Sequence, residues 1–302
     1  MIKRTIEIST RGIFLSVKLD QLVIRLDAEE LQSVPIEDIG VLIVSSTAVT
    51  YTHSVITRLL SAGAVIVACD DKHLPCGLLL PQDNSLQTQR LLAQVGAGKP
   101  IHKQLWRQLV KAKIAHQAAM LDECPDAQRA LLAMAARVRS GDPENLEAQA
   151  ALRYWPALLG ADFRRDPDGL PPNCLLNYGY MVLRATVARA LAGAGLHPSL
   201  GLHHHNRSNP FCLADDVMEP LRPLVDRRVR ALHKAGAKDL DKETKRELLG
   251  TLTDTVRLGD AAGPLMVALE RTAASLVRCY EGQAKQLEVP HPWNSADTGS
   301  CG

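Results

Sequence analysis

IGVLIVSSTAVTYTHSVITRLLSAGAVIVACD, residues 39–70, sets the architecture of the first part of this chain. It opens on residues 39–46, a continuous apolar run of the kind that is buried on both faces of a sheet. Residues 52–62 change period: Val55, Leu59 and Leu60 fall on one stripe of a helix. Gly63 ends that helix, and residues 64–70 return to a second buried strand. The stretch therefore predicts a β-rich region with one short helix inside it.

Working outward, residues 4–9 alternate apolar and polar side chains. So do residues 13–18 and 21–26, joined by a turn near Asp20. PCGLLLP (75–81) closes the region. From Asn84 the texture changes to long Ala- and Leu-rich stretches. Their spacing predicts helices near 85–95, 101–122, 126–139, 143–159, 173–194, 209–235, 241–256 and 261–282. Asp142 is placed to cap the fourth of these, with Pro143 as its first residue. The fold class is α+β: a small β-rich N-terminal domain (1–80), a linker (81–86), a larger all-helical domain (87–288) and a flexible tail (289–302).

Composition narrows the function classes. Apolar residues make up 46% of the chain and charged residues 23%, as in a globular protein. Aromatics at 4% argue against a base-stacking platform for single strands. The seven cysteines are an odd number with no CxxC pair, against a disulfide framework or a structural zinc site. The N-terminus MIKRTIEIST lacks the apolar run of a signal peptide, and no apolar run approaches the roughly 20 residues of a membrane span. A soluble, cytoplasmic protein with no membrane association is expected. No phosphate-binding glycine loop and no GxSxG elbow is present. The net charge is only +2, yet residues 101–140 hold seven Lys/Arg against three Asp/Glu. Such a surplus suits either a solvated face or a polyanion.

Two segments carry candidate chemistry. GLHHHNRSNPFCLADDVMEPLRP (201–223) sets three imidazoles beside Asp215, Asp216 and Glu219. Asp216 and Glu219 are three apart and share a helix face, where they repel unless a cation lies near. Oxygen ligands with an imidazole suit Mg²⁺ or Mn²⁺. The alternative is a solvated helix in which Arg222 neutralises Glu219 and Asp226. In PENLEAQAALRYWPALLG (143–160), Glu147 stands among small apolar residues with no partner cation evident in the sequence. A packed carboxylate needs a cation or a proton; a helix start that welcomes acids is the plainer reading. Lys103, Arg107 and Lys111 recur every four residues on one helix face, with Lys113 near.

The blocks NLEAQAALRYW (145–155), DFRRD (162–166), residues 173–226 with NPFCLADDVMEPLRPLVD at their end, and ACDDKHLPCGLLLP (68–81) stand in an order that resembles the CRISPR-associated integrase family of spacer acquisition. The flavour is closest to members that accompany type II systems. The resemblance extends to about residue 285. It implies a helical catalytic domain and a metal-dependent DNA integrase and endonuclease that serves antiviral defence. In this reaction a 3′-hydroxyl attacks a phosphodiester of the repeat array. The implied metal and catalytic residues are Glu147, His204 and Glu219, with Asp216 on an additional acidic position and Mg²⁺ or Mn²⁺ as cofactor. The third histidine, His205, leaves a one-residue ambiguity in register. The implied DNA contacts are Lys103, Arg107, Lys111, Arg164, Arg165, Arg207 and Arg222. The implied partners are DNA, a second copy of the chain and a small ferredoxin-like second CRISPR-associated protein, together forming a heterohexamer. A homodimer through the N-terminal domain would also cover the buried-type strands at 39–46 and 64–70. A stand-alone or transposon-type nuclease or integrase of the same fold, and a non-catalytic DNA-binding subunit, stay open.

Overall fold

The structure is a computed structural model, and it describes residues 4–27, 29–71, 75–81, 87–166 and 169–292. The expected linker from 82 to 86, most of the expected tail and Cys301 lie outside the described residues.

The N-terminal part holds β1 (Arg4–Ile8), β2 (Ile13–Lys18), β3 (Gln21–Leu26), β4 (Glu29–Pro35), β5 (Ile39–Val44), β6 (Thr50–Tyr51), α1 (His53–Ser61), β7 (Val65–Cys69) and β8 (Pro75–Leu79). They form two four-stranded sheets, ordered β4-β3-β2-β6 and β1-β5-β7-β8. In the first, Lys18 pairs with Gln21 across a two-residue turn. Leu19 and Asp20 are both left-handed there, as a tight hairpin turn requires. In the second, β5 runs parallel to β7, because α1 carries the chain back between them.

Alternation along β5 and β7 explains their unbroken apolar character. Leu42 and Ile66 face a small core with Leu15, Leu22, Ile24, Val55 and Leu59. Val41, Ile43, Val65 and Val67 face the other way, into the main core of the helical part. Both faces are therefore covered within one chain, and covering them does not require a dimer. The main core also runs unbroken across the expected domain boundary.

The second part comprises α2 (Gln87–Gly96), α3 (Lys99–Ala119), α4 (Pro125–Arg137), α5 (Leu146–Leu159), α6 (Asn173–Gly193), α7 (Cys212–Met218), α8 (Arg222–Lys234), α9 (Lys242–Leu249), β9 (Thr255–Leu258), β10 (Ala261–Pro264), α10 (Leu265–Tyr280) and β11 (His291–Pro292). The α+β class holds, but this part is not all helix. β10, β9 and β11 form a three-stranded sheet in residues expected to be helical or tail. Leu258 pairs with Ala261 across Gly259–Asp260, a glycine-led two-residue turn that ends any helix there. None of the helices among the described residues is long and apolar enough to cross a membrane.

Two departures shape the site. The single helix expected over 209–235 is broken into α7, a 3₁₀ turn at Glu219–Leu221, and α8. Pro220 and Pro223 cannot donate to the preceding turn, so the ladder fails where Glu219 sits. And α5 begins at Leu146, not Pro143. Asp142 still caps it, but from outside: its carboxylate accepts from the backbone of Leu146 and of Glu147, both at 3.0 Å.

Candidate active site

Three segments meet on the α3 side of the helical part. Glu147 stands in the first turn of α5, its backbone held by Asp142. Glu219 opens the 3₁₀ turn between α7 and α8 and is buried. Between them lies a cation that the sequence did not suggest. Lys113 of α3 is itself buried, and its Nζ contacts Glu147 Oε1 and lies 2.5 Å from Glu219 Oε2. Glu219 has a second cation, with Arg222 Nη2 at 3.1 Å from Oε1. Burial alone would push the Glu219 carboxyl up, but Arg222 and Lys113 outweigh it and hold it at about 2. Burial likewise disfavours the charge on Lys113, yet Glu219 and Glu147 keep its pKa above the ordinary lysine value. Glu219 and Lys113 are both charged at neutral pH.

His204 is placed by a different carboxylate. Asp216, fully buried, accepts from the backbone of Leu202 at 2.6 Å and of His203 at 2.9 Å, and its Oδ1 lies 2.5 Å from His204 Nδ1. Asp216 thus anchors the histidine loop. Since a carboxylate only accepts, Nδ1 carries the proton and Nε2 is left as the donor atom for a ligand. The hydrogen bond to Asp216 raises the His204 pKa. Gly201 allows the fold of the loop: a Cβ there would lie 2.2 Å from the His204 carbonyl oxygen and 3.1 Å from Asp216 Oδ2. Trp106 of α3 stacks on His203, centroids 4.3 Å apart, and meets His204 edge-on at 5.7 Å. His205 faces a separate hollow with His102 and Arg207. His204 is thus the ring held by Asp216 and within electrostatic reach of Glu219, while His205 lines the other hollow.

The basic residues divide into groups. Arg222 turns inward to Glu219 and packs over the Tyr180 ring, 4.8 Å from its centroid. Arg165 lies 5.6 Å from the same ring and donates to Asn173 and Asn177. Tyr180 and Tyr154 both donate to the buried Asp226, whose carboxyl burial pushes up to about 7. Arg164 is exposed and donates to the carbonyls of Ala161 and Phe163. Arg207 is exposed. At about 100° of turn per residue, Arg107 and Lys111 lie on the side of α3 away from Lys113, and Lys103 stands on the flank between. A groove of about 430 Å³ there is lined by Arg107, Lys111 and Lys285 with Gln104 and Gln108. Gln108 holds the 285–287 segment in place, donating to the Lys285 carbonyl at 3.1 Å and accepting from Leu287 at 2.9 Å. Lys285 is a basic residue that the sequence pattern did not single out.

Among the described residues, no three His, Cys, Asp or Glu side chains stand ready-made around a metal position. Lys113 accounts for this: its ammonium sits where the two carboxylates converge. The donor set nonetheless suits a hard divalent ion. Two carboxylates aim at one point, and Glu219 Oε2 is buried without a hydrogen bond, the Lys113 contact being badly angled for one.

The β-rich region packed on a helical part that carries an acid–imidazole cluster and a basic face gives an α+β protein with one charged site. The sequence model of the family described as "CRISPR associated protein Cas1" matches residues 6–258. The chain is 38% identical over 282 residues to the CRISPR-associated endonuclease Cas1 of Neisseria meningitidis, covering 91% of this chain and 92% of that one. A relative from Pyrobaculum aerophilum is 28% identical over 269 residues, covering 81% and 88%. Among solved structures, a casposase bound to integration product superposes with a TM-score of 0.77 at 21% identity, over 98% of this chain and 97% of that one. The Cas1 of Thermotoga maritima superposes at 0.70 and 15% identity, over 94% and 99%. The chain belongs to the Cas1 family of CRISPR-associated endonucleases.

Proposed function

We propose that this protein is a divalent-metal-dependent DNA integrase and endonuclease of CRISPR adaptation, and so part of antiviral defence. The observation that carries the reading is the convergence of Glu147 and Glu219, from separate segments, beside the outward imidazole of His204. These three residues would hold Mg²⁺ or Mn²⁺, and when bound the ion would polarise the scissile phosphate. Asp216 holds the Nδ1 proton and orients the ring, so that in neutral His204 the free lone pair is on Nε2. The reaction is a displacement at phosphorus: a 3′-hydroxyl of incoming DNA forms one P–O bond as another breaks, so no nucleotide hydrolysis is needed. Water in place of the hydroxyl gives nicking from the same site. Lys103, Arg107 and Lys111 would bind phosphates, with Lys285 beside them; Arg164 and Arg207 are exposed enough to do so. Arg165 and Arg222 would act nearer the acidic cluster.

A second copy of the chain and a small ferredoxin-like CRISPR-associated protein are the expected partners, giving a heterohexamer. The similarity to a chain of a Cas6-RT-Cas1–Cas2 complex, at a TM-score of 0.75 and 18% identity over 97% of this chain and 36% of that one, supports a second CRISPR-associated protein as partner. A transposon-type integrase would share the chemistry, as the casposase likeness illustrates. The higher sequence identity with a CRISPR-associated endonuclease, 38% against 21%, favours the first reading. The test is strand transfer of a duplex with free 3′-hydroxyl ends into a repeat-bearing plasmid, with Mn²⁺ or with chelator. Glu147→Gln, His204→Ala and Glu219→Gln should each abolish it. Undiminished transfer by Glu147→Gln would refute the assignment.

A further inference from the structure

Lys113 is the least expected member of the cluster. It is seven residues from Trp106, so both project from the same side of α3, the side packed into the core. Of the other cations of α3 that matter here, Arg107 and Lys111 project away from it, and Lys103 lies on the exposed flank. A lysine is rarely buried unless paired, and this one is paired twice, with carboxylates from two different segments. Among the described residues it is the sole ion-pair partner of Glu147, whereas Glu219 also has Arg222.

We infer that Lys113 is the resident counter-cation of this site, and that a divalent ion entering between Glu147 and Glu219 displaces its ammonium. The inference rests on the metal-site reading above and adds to it a competitor built into the chain. The reason is space. Lys113 Nζ lies 2.5 Å from Glu219 Oε2 and touches Glu147 Oε1. A divalent ion needs the same oxygens at about 2.0–2.6 Å, so the two cations exclude one another. Charge gives a second reason. One ammonium and two carboxylates leave a net negative charge, which Arg222 offsets on the Glu219 side. A divalent ion added to an unmoved ammonium would crowd two cations into one contact shell, where like charges repel steeply. The lysine stem is flexible enough to swing clear. The Glu147 side chain, 28% exposed, marks the open side of the cluster. Lys113 thus holds the two carboxylates together before loading, and its removal from them sets how tightly the ion binds.

The experiment titrates Mn²⁺ alone into the full-length chain by calorimetry, comparing the parent protein with Lys113→Met and Glu147→Gln. Loss of the competitor should tighten Mn²⁺ binding by about tenfold or more, because the ion no longer has to break two charge-assisted contacts. The metal-free Lys113→Met protein should melt below the parent, since Glu147 loses its partner and the buried Glu219 one of its two, and Mn²⁺ should raise its melting point further than it raises the parent's. Glu147→Gln should lose binding. If Glu147→Gln loses binding but Lys113→Met binds no tighter than the parent, the displacement is overturned and the metal site stands. If the parent binds no Mn²⁺, or Glu147→Gln binds as well as the parent, both fail. Should Lys113→Met not fold, acetylation of Lys113 in the parent protein, read by peptide mass, decides instead. Faster labelling with Mn²⁺ supports displacement, and an unchanged rate overturns it.

Discussion

Asp216 Oδ1 lies 2.5 Å from His204 Nδ1, while the other oxygen of the same carboxylate takes the backbone N–H of Leu202 and His203. One buried side chain therefore sets both the path of the histidine loop and the tautomer of its functional ring. In the proposed site Asp216 would act as a support, since both of its oxygens are taken by the histidine loop. Asp216→Asn should lower strand transfer by about 10–100-fold, the usual cost of removing the outer partner of a ligating histidine. His205→Ala, made beside it, should stay near full activity. Loss in His205→Ala with full activity in His204→Ala would reverse the assignment of the loop register.

Gly201 and Gly179 separate a local role from a global one. A Cβ at Gly201 would strike the His204 carbonyl oxygen at 2.2 Å, and a Cβ at Gly179 would strike Val225 Cγ1 at 2.4 Å. Both alanine variants should lose on the order of 1–3 kcal/mol through overpacking. In Gly179→Ala the clash is between α6 and α8, so adding Val225→Ala should restore part of the melting temperature. In Gly201→Ala the obstacle is backbone, no side-chain trim relieves it, and activity should fall with the loop. Rescue of Gly201→Ala by trimming Cys212, whose Cβ stands 2.9 Å away, would contradict this.

The basic face of α3 predicts a salt dependence. This helix carries five Lys/Arg and no Asp or Glu over 21 residues, and Lys103, Arg107, Lys111 and Lys285 form no ion pair among the described residues. Replacing Lys103, Arg107 and Lys111 with Ala should weaken duplex binding and flatten the slope of log K against log salt by about 0.9 for each phosphate no longer neutralised. Lys285→Ala should flatten it by one further step of the same size. An unchanged slope in the triple variant would make this face a merely solvated one.

Two buried groups give opposite pH dependences. His116 donates from Nδ1 to the Pro220 carbonyl, 2.5 Å away, and its Nε2 accepts from His291 at 2.9 Å. Burial lowers it from 6.5 to about 4, so its contribution is present above pH 6.5 and is lost as pH falls through about 4. That amounts to on the order of 3 kcal/mol at most. Asp226 runs the other way: burial raises it from 3.8 to about 7, so its contribution is present below 3.8 and is lost as pH rises through about 7. The two windows overlap and mask each other in the parent protein. In denaturant melts, His116→Asn should gain stability relative to the parent as pH falls from 6.5 toward 4, and Asp226→Asn should gain as pH rises from about 3.8 and level off above about 7. Parallel curves for parent and His116→Asn between pH 4 and 6.5 would contradict the first half.

β1, β2, β3, β5 and β7 were legible because their hydrophobic periods are clean and their turns local, whereas β4 (EELQSVP), exposed along most of its length, and the two-residue β6 carry no such period and were missed. The histidine loop and the acidic helix were legible as chemistry, but not as geometry. Asp216 and Glu219 share a helix face, yet only the proline break at 220 and 223 gives them different tasks, one facing the loop and the other facing α3. Lys113 was hidden by residue type, since it follows the surface lysine Lys111 by two positions. Helical phase could have exposed it, because it sits on the stripe of Trp106, Leu109 and Val110. The β9–β10 hairpin was missed because its strands are four residues each, and AAGP has neither β-branched nor aromatic side chains.

The expected split into two domains leads to the last prediction. Lys245 of α9 is buried and reaches back across the chain to Glu7 of β1 at 3.2 Å and to Ser45 Oγ at 3.1 Å. Arg189 of α6 donates to the Gly63 carbonyl at 2.8 Å. Beneath these contacts, Val41, Ile43, Val65 and Val67 belong to the same core as Tyr178, Leu183 and Val187 of α6. A sheet face that completes another unit's core cannot melt ahead of that unit without exposing both. Calorimetry of the full chain should therefore show one cooperative transition, not an early β-rich step followed by a helical one. Lys245→Ala, which leaves Glu7 without its ammonium at that buried join, should lower the whole transition by about 3–5 kcal/mol. Two resolved transitions, with only the first shifted by Lys245→Ala, would mean that the parts fold separately and that the shared core adds little.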